Sequence, residues 1–257
     1  MKALIFAAGL GTRLRPLTDN RPKALVPVGG RPLLQILIEK LREEGFNEVV
    51  VNVHHFAEMI KDFLRDNDNF GIDIRISDET DMLLETGGGV KKAANLFSQD
   101  GAPFLIHNVD ILSNLALGEF MDRATHREVV FAGYRQAPSA TLMVNGRTST
   151  RYLLFNDDNM LVGWTNTNTG EVKSPYPELK VEQCQRYAFS GIHVFNPSLL
   201  PLMESWEGKF SIIDFYLSVC DRVPIYADFS STLQLMDVGK LDSIAKAEEF
   251  IKSEESE

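Results

Sequence analysis

The chain has 257 residues, with 26 Lys and Arg against 36 Asp and Glu and a formal net charge of −10 at pH 7. At roughly 150 residues per domain this allows one or two domains, and a composition of 44% hydrophobic and 24% charged residues excludes disorder as the main state. The acidic balance argues against a general nucleic-acid or anionic-membrane binder, since both need a basic face, while leaving room for a local basic pocket. The cysteines, Cys184 and Cys220, are too few for a disulfide framework or a zinc site and read as small buried hydrophobes. No apolar run approaches the roughly 20 residues that span a bilayer. The apolar start runs into Gly9-Leu10-Gly11-Thr12-Arg13, a charged loop rather than a cleavage site, so it reads as a first strand and the expected location is the cytoplasm.

Residues 2–8 are a short apolar run closed by glycine, as a fully buried strand is. Pro16, Pro22 and Pro27 then forbid a helix and impose an extended, wrapping loop. Pro32 suits the first position of a helix reaching Gly45, with Leu33, Leu34, Leu37, Ile38 and Leu41 on one face. The pattern predicts strands at 48–53 and 72–77, a helix at 56–65, and another opened by Gly87-Gly88-Gly89 and running to Phe97. A strand at 103–108 leads straight into Val109-Asp110. A helix at 115–126 and a strand at 129–134 follow. Such alternation predicts βαβ units.

The rhythm changes near residue 140. Short strands at 142–144, 152–155 and 161–164 are separated by Asn145-Gly146 and by Asn156-Asp157-Asp158-Asn159, which predicts antiparallel hairpins. Residues 165–182 are polar, carry Gly170, Pro175 and Pro177, and read as a loop. A strong strand at 187–195 contains Ser190-Gly191. Helices near 198–205 and 211–221, strands at 223–227 and 233–238, and an amphipathic helix at 241–251 complete the chain, with 252–257 expected to fray. The fold class is α/β: one domain over 1–257, a doubly wound, mainly parallel Rossmann-like sheet with a β-rich insertion.

The loop Gly9–Pro16 follows a strand and holds two close glycines, so backbone N–H groups can approach phosphates there. It is not the dinucleotide fingerprint, which needs a third glycine where Leu14 stands, nor a P-loop, since Gly-Lys-Ser/Thr is absent. The bland alternative is a simple turn after the strand. Arg13, Arg15, Arg21 and Lys23 lie within eleven residues of this acidic chain. A solvated surface run is their ordinary fate. Yet Arg13 sits inside the glycine turn, and Lys23 is braced by Pro22, which suits a cation facing a triphosphate. Asp110 and Asp237 each end a predicted strand, the edge where open α/β sheets bind ligands. Two such carboxylates suit Mg2+, although each could equally cap a turn or helix.

The segment Gly9-Leu10-Gly11-Thr12-Arg13-Leu14-Arg15-Pro16-Leu17-Thr18, followed by Arg21-Pro22-Lys23-Ala24-Leu25-Val26-Pro27-Val28, resembles the signature of sugar-1-phosphate nucleotidyltransferases. Leu84-Glu85-Thr86-Gly87-Gly88-Gly89 resembles that family's base-binding segment, Asn108-Val109-Asp110 its metal aspartate motif, Phe189-Ser190-Gly191-Ile192 its sugar-side strand, and Met236-Asp237-Val238-Gly239 its second metal aspartate. Gly239-Lys240 departs from the commoner Gly-Thr, a change expected to alter the cap of the last helix rather than a metal site.

The resemblance implies a GT-A-like nucleotidyltransferase fold, with a nucleotide half at 1–135, a sugar half at 136–235, and the second metal ligand and last helix at 236–257. It implies catalytic Arg13, Lys23 and Asp110. Ala8, Gly9, Gly11, Thr12, Arg13, Lys23, Glu85, Thr86, Gly87, Gly88 and Asn108 would bind the nucleotide, the Gly87 and Gly88 amides reading base edges. Ser190 and Gly191 would bind the sugar, and Asp110 and Asp237 would hold Mg2+. The implied partners are an NTP and a sugar 1-phosphate, with neither nucleic acid nor membrane. Lys173 and Lys180 lie where a further phosphate-binding lysine is expected, but neither stands in a matching motif. The short length and the Leu84–Gly89 motif resemble N-acetylmuramate 1-phosphate uridylyltransferases, and mannose- and heptose-1-phosphate guanylyltransferases share the early motifs. A non-catalytic nucleotide-sugar sensor and a nicotinamide-dependent dehydrogenase are the readings from other classes. Nothing in the sequence specifies an oligomer.

Overall fold

Side chains along a buried strand alternate between two faces. The first strand, β1 (Lys2–Phe6), sends Ala3 and Ile5 into one hydrophobic core and Leu4 into another. β2 (Glu48–Val53) repeats this, with Val49, Val51 and Val53 on the first face and Val50 on the second. The structure is a computed structural model and describes residues 1–254. β1 pairs in parallel with β2, β2 with β3 (Asp73–Asp78), and β1 on its other edge with β4 (Phe104–Asn108). α1 (Leu33–Glu43) and α2 (Ala57–Asp66) bury Leu34 and Ile60 against the first face. α3 (Glu85–Ala94) crosses to the second face through Val90 and Ala93, and α4 (Leu117–His126) returns to the first through Phe120. Strands covered on both sides need near-continuous apolar runs, which is why alternation is absent from their sequences. The expected doubly wound α/β arrangement is present. Pro32 stands one residue earlier than expected, as the N-cap of α1.

Beyond residue 139 the sheet changes character. β5 (Ala140–Asn145), β6 (Arg151–Phe155), β7 (Leu161–Asn166), β8 (Val172–Lys173), β9 (Gln185–Phe195) and β10 (Ile225–Phe229) extend it to ten strands. The order is β8-β7-β6-β9-β4-β1-β2-β3, with β5 paired to β9 and β10. β9 runs antiparallel to β4, β5 and β6, so the sheet is parallel through its first half and mixed beyond.

Several elements differ from the sequence reading. β6 and β7 form the expected hairpin, but β5 does not pair with β6. It lies antiparallel to β9 and parallel to β10, because residues 146–150 carry the chain away instead of turning it back. Residues 129–134 are not one strand. Val129–Phe131 and Tyr134–Gln136 form a hairpin about Ala132 and Gly133, both at positive φ, as a two-residue hairpin turn requires. The expected loop at 165–182 contains β8 and leads into a short 3₁₀ turn, Val181–Gln183. Pro197–Met203 is a 3₁₀ helix with Pro201 inside it.

α5 (Ile212–Val219) begins at Ser211, whose hydroxyl accepts the Ile213 N–H at 3.2 Å, and packs Phe215 and Tyr216 onto the second face. The strand Leu235–Asp237 pairs with Ile111–Ser113 just beyond β4. α6 (Ile244–Glu254) closes the chain on the first face through Ala247. Of the end expected to fray, residues 252–254 form the last turn of α6 and the remainder lies outside the described residues. Among the described residues no helix is long and apolar enough to cross a membrane.

Candidate active site

Asn52, Phe6 and Asn108 stand in register at the carboxyl ends of β2, β1 and β4. Parallel sheets bind ligands along this edge. A cavity of about 350 Å³ opens there, lined by Ala8 and Gly9 after β1, by Lys23, by Glu85 and Thr86 at the start of α3, and by Asn108 and Asp110.

The loop after β1 is shaped by its small and buried residues. A Cβ on Gly9 would meet nothing within 4 Å, so this residue faces open space. Gly11 has φ +63°, and its carbonyl accepts the Leu14 N–H at 2.9 Å and the Thr18 hydroxyl at 2.9 Å. A Cβ there would lie 2.9 Å from Thr18 Cγ2 and 3.0 Å from Lys23 Cβ, so glycine lets the loop fold back onto Lys23. Leu14, in place of a third glycine, is fully buried and anchors the turn Thr12–Leu14. Thr12 and Arg13 are exposed, and neither they nor Gly11 line the cavity. Of the four clustered cations only Lys23 lines it; Arg15 is exposed and paired with Asp19 at 3.5 Å. Lys23 begins a 3₁₀ turn behind Pro22, and its ammonium forms an ion pair with Asp110.

Asp110 and Asp237 sit on adjoining chain segments. The Val238 N–H donates to the Asp110 carbonyl at 2.8 Å, and Asp237 pairs with Ile111 across the short ladder. Asp237 is exposed. A Cβ on Gly239 would lie 2.6 Å from Asp237 Oδ1 and 3.0 Å from Arg13 Nη2, so both groups lie over this glycine. Arg13 is thus brought beside the second aspartate rather than into the cavity. Lys240 is exposed and starts the turn Leu241–Ser243, whose Ser243 hydroxyl donates to the Lys240 carbonyl at 2.6 Å.

The glycines that open α3 and the pair Ser190–Gly191 are placed differently from what their expected roles suggest. Gly87 and Gly88 do not offer their amides to a cavity: both N–H groups point at the Phe210 carbonyl, at 2.8 and 3.4 Å. They are glycines because of packing, since a Cβ on Gly87 would lie 2.3 Å from the Phe210 ring and one on Gly88 2.4 Å from the Gly208 carbonyl oxygen. Ser190 is buried, and its hydroxyl donates to the Met143 carbonyl at 2.6 Å, inside the bulge between β5 and β9. Gly191, at φ +80°, gives room to Asn108, whose Nδ2 would stand 2.6 Å from a Cβ. Neither residue lines the cavity above, and of this strand Phe189 lines a neighbouring one.

The sequence reading missed a polar bridge across the cavity wall. Asn52 Oδ1 accepts the Ala7 and Ala8 N–H groups at 2.7 and 3.2 Å, and Asn52 Nδ2 donates to Glu79 Oε1 at 2.9 Å. Glu79 Oε2 accepts the Leu84 N–H at 3.0 Å, so the bridge ties the loop after β1 to the start of α3. Both side chains are buried. The available signal was a single amide inside the run Val49-Val50-Val51-Asn52-Val53, because a buried polar group implies a specific partner. Ser211, also missed, lines this cavity and a second one of about 560 Å³ that includes Arg147, Arg151, Trp164 and Lys173. Of the two unassigned lysines, Lys173 reaches that second cavity and Lys180 does not. Beneath the site, burial pushes the His107 imidazole down to about 4 and that of His193 to about 3, so both are neutral near pH 7.

A family model described as Nucleotidyl transferase matches residues 2–142, more than half of the chain. An N-acetylmuramate alpha-1-phosphate uridylyltransferase of Neisseria meningitidis serogroup B is 43% identical over 115 residues, which are 45% of this chain and 49% of that protein. A UTP--glucose-1-phosphate uridylyltransferase of Synechocystis sp. is 29% identical over 273 residues, 99% of this chain and 64% of that protein. The chain therefore spans about half the length of the first relative and less than two thirds of the second. Among solved structures, HddC from Yersinia pseudotuberculosis complexed with GMP-PN matches with a TM-score of 0.71 at 20% identity, covering 97% of this chain and 99% of that one. At that identity the likeness is one of fold.

Proposed function

The chain belongs to the Nucleotidyl transferase family, and from that premise we propose that it joins an NTP to a sugar 1-phosphate, giving a nucleoside diphosphate sugar and pyrophosphate. The observation that carries this reading is the meeting of Lys23 and Asp110 at the mouth of a cavity on the carboxyl edge of the sheet. A phosphate oxygen of the sugar 1-phosphate attacks the α-phosphorus, and the bond to the bridging oxygen of the departing pyrophosphate breaks. The nucleophile is already anionic, so no Ser, Cys or His activation is required. The protein's work is to position two anions and offset their charge.

In this reading Lys23 exchanges its contact with Asp110 for the α-phosphate. Gly9, with open space before it, offers its backbone to the phosphates, and Arg13 holds the pyrophosphate at the exposed rim. Glu85, Thr86 and Asn108 bound the space for the nucleoside. Asp110 and Asp237 suit Mg2+: both are hard oxygen donors, and their segments are joined by the Val238–Asp110 hydrogen bond. Among the described residues no cluster of three or more His, Cys, Asp or Glu could hold a metal. The remaining positions would thus fall to water and substrate oxygens, as Mg2+ prefers. When bound, the ion supplies charge neutralisation at the phosphates.

We assign UTP as the nucleotide because relatives named uridylyltransferases reach 43% and 44% identity, above the 39% of a relative named a probable mannose-1-phosphate guanylyltransferase, and we place the reaction in the cytoplasm. Chromatography of products from UTP, GTP, CTP and dTTP, each with glucose 1-phosphate or N-acetylmuramate 1-phosphate, tests this. UDP-sugar as the main product is expected. GDP-sugar as the main product would move the assignment to a guanylyltransferase, and nucleotide binding without any product would favour a sensor.

A further inference from the structure

We infer that the second cavity is built for a sugar carrying a negatively charged group besides its 1-phosphate, a carboxylate or a further phosphate, and that Arg151 and Arg147 recognise that group. The inference names the substrate class of the reaction proposed above and rests on that reading for the sugar's presence.

The chain carries ten more acidic than basic residues by formal charge, yet three cations meet around this one cavity of about 560 Å³. Their placement follows from strand periodicity. On β6 and β7, Arg151 pairs with Asn166 and Leu153 with Trp164, so these two rows share a face of the sheet. Trp164 in turn pairs with Lys173 on β8. The first turn of α5 forms the opposite wall through Ser211 and Asp214.

The cations are not equivalent. Lys173 is neutralised, because its ammonium donates to Asp214 Oδ1 at 2.9 Å while lying 5.4 Å from the centre of the Trp164 ring. Arg147 spends one Nη2 hydrogen bond on the Phe189 carbonyl at 3.1 Å, which fixes its guanidinium without cancelling its charge. The Arg151 side chain has no hydrogen-bond or ion-pair partner among the described residues. Against these two arginines the lining adds one further acid, Glu171. The guanidinium fork matches carboxylate and phosphate oxygens, and the Trp164 ring offers an apolar face for a sugar's C–H groups.

The two cavities share Ser211, while Lys23 and Asp110 belong only to the first. The 1-phosphate is needed at Asp110, so the arginines face a different end of the sugar. A neutral hexose would leave both guanidinium groups unmatched.

Calorimetric titration of the intact protein with glucose 1-phosphate, glucuronate 1-phosphate and glucose 1,6-bisphosphate tests this, for the wild type, Arg151→Gln and Arg147→Gln. Either doubly anionic sugar should bind at least about tenfold more tightly than glucose 1-phosphate, as a charge-assisted hydrogen bond warrants. Which of the two binds better tells carboxylate from phosphate. Arg151→Gln should collapse that ratio towards one. Equal affinity for all three ligands overturns the inference. So does an equal loss for every ligand in Arg151→Gln, which would place the arginine on the 1-phosphate. Pyrophosphate release, measured separately, distinguishes the two claims: a binding margin without release contradicts only the transferase reading, and release without the margin contradicts only the anion pocket.

Discussion

Lys23 and Asp110, 87 positions apart in the chain, form an ion pair at the mouth of the first cavity, with 12% and 19% of their side chains exposed. Each therefore holds the other in place before any ligand arrives. A cation and a carboxylate so paired put charge of both signs at one place on the carboxyl edge of the sheet.

Removing either charge should damage turnover far more than folding. Asp110→Asn and Lys23→Ala are each expected to lower kcat on the order of 10² to 10³-fold. Both side chains line the cavity rather than the hydrophobic core, so both variants should stay folded. Pyrophosphate release and urea denaturation of the same preparations check this. An unfolded Lys23→Ala protein would show that the lysine is there for structure.

The Asn52–Glu79 bridge is expected to act on the nucleotide through the loop after β1. Asn52→Ala leaves the Ala7 and Ala8 N–H groups and one Glu79 oxygen without their present partner. Loss of about 1–3 kcal/mol of stability should follow, together with a raised KM for the NTP. Steady-state kinetics at fixed sugar phosphate supply the second readout. A destabilised variant with wild-type KM would confine the bridge to a structural role.

Stability should fall in mild acid because of His193. Its two ring nitrogens are buried without a partner among the described residues, and burial lowers its pKa from 6.5 to about 3. A group with a lowered folded pKa binds more protons when unfolded, so its contribution is full above pH 6.5 and declines as pH drops towards 3. The slope approaches about 1.4 kcal/mol per pH unit for this residue. His193→Phe should flatten the stability curve between pH 6.5 and 4; parallel curves for variant and wild type would refute the assignment.

The first half of the fold was legible because buried parallel strands and amphipathic helices have strong local signatures. Val49–Val53 is an uninterrupted apolar run but for Asn52, and Leu34, Leu37 and Leu41 mark one face of α1. The second half depends on pairing between distant segments, which local pattern does not encode. β5 looks like one arm of a hairpin with β6, yet it bonds to β9 and β10, whose residues begin 40 or more positions later. The site divides the same way. Lys23 and Asp110 stood out through their charged side chains in recognisable motifs, and the structure pairs them. Gly87, Gly88 and Ser190 could not be placed this way, because a glycine required by the Phe210 ring and a glycine required by a ligand read alike in sequence. Ser211 carried no signal, since only the packing of α5 against α3 brings it to the cavities.

Joining of a nucleotide to a sugar phosphate is tested most directly by pyrophosphate release from UTP by the purified protein, with and without a sugar 1-phosphate and with and without Mg2+. Release should require all three, be matched one for one by UDP-sugar, and be lost in Asp110→Asn. Release from UTP without sugar phosphate, or at an undiminished rate in Asp110→Asn, would contradict it.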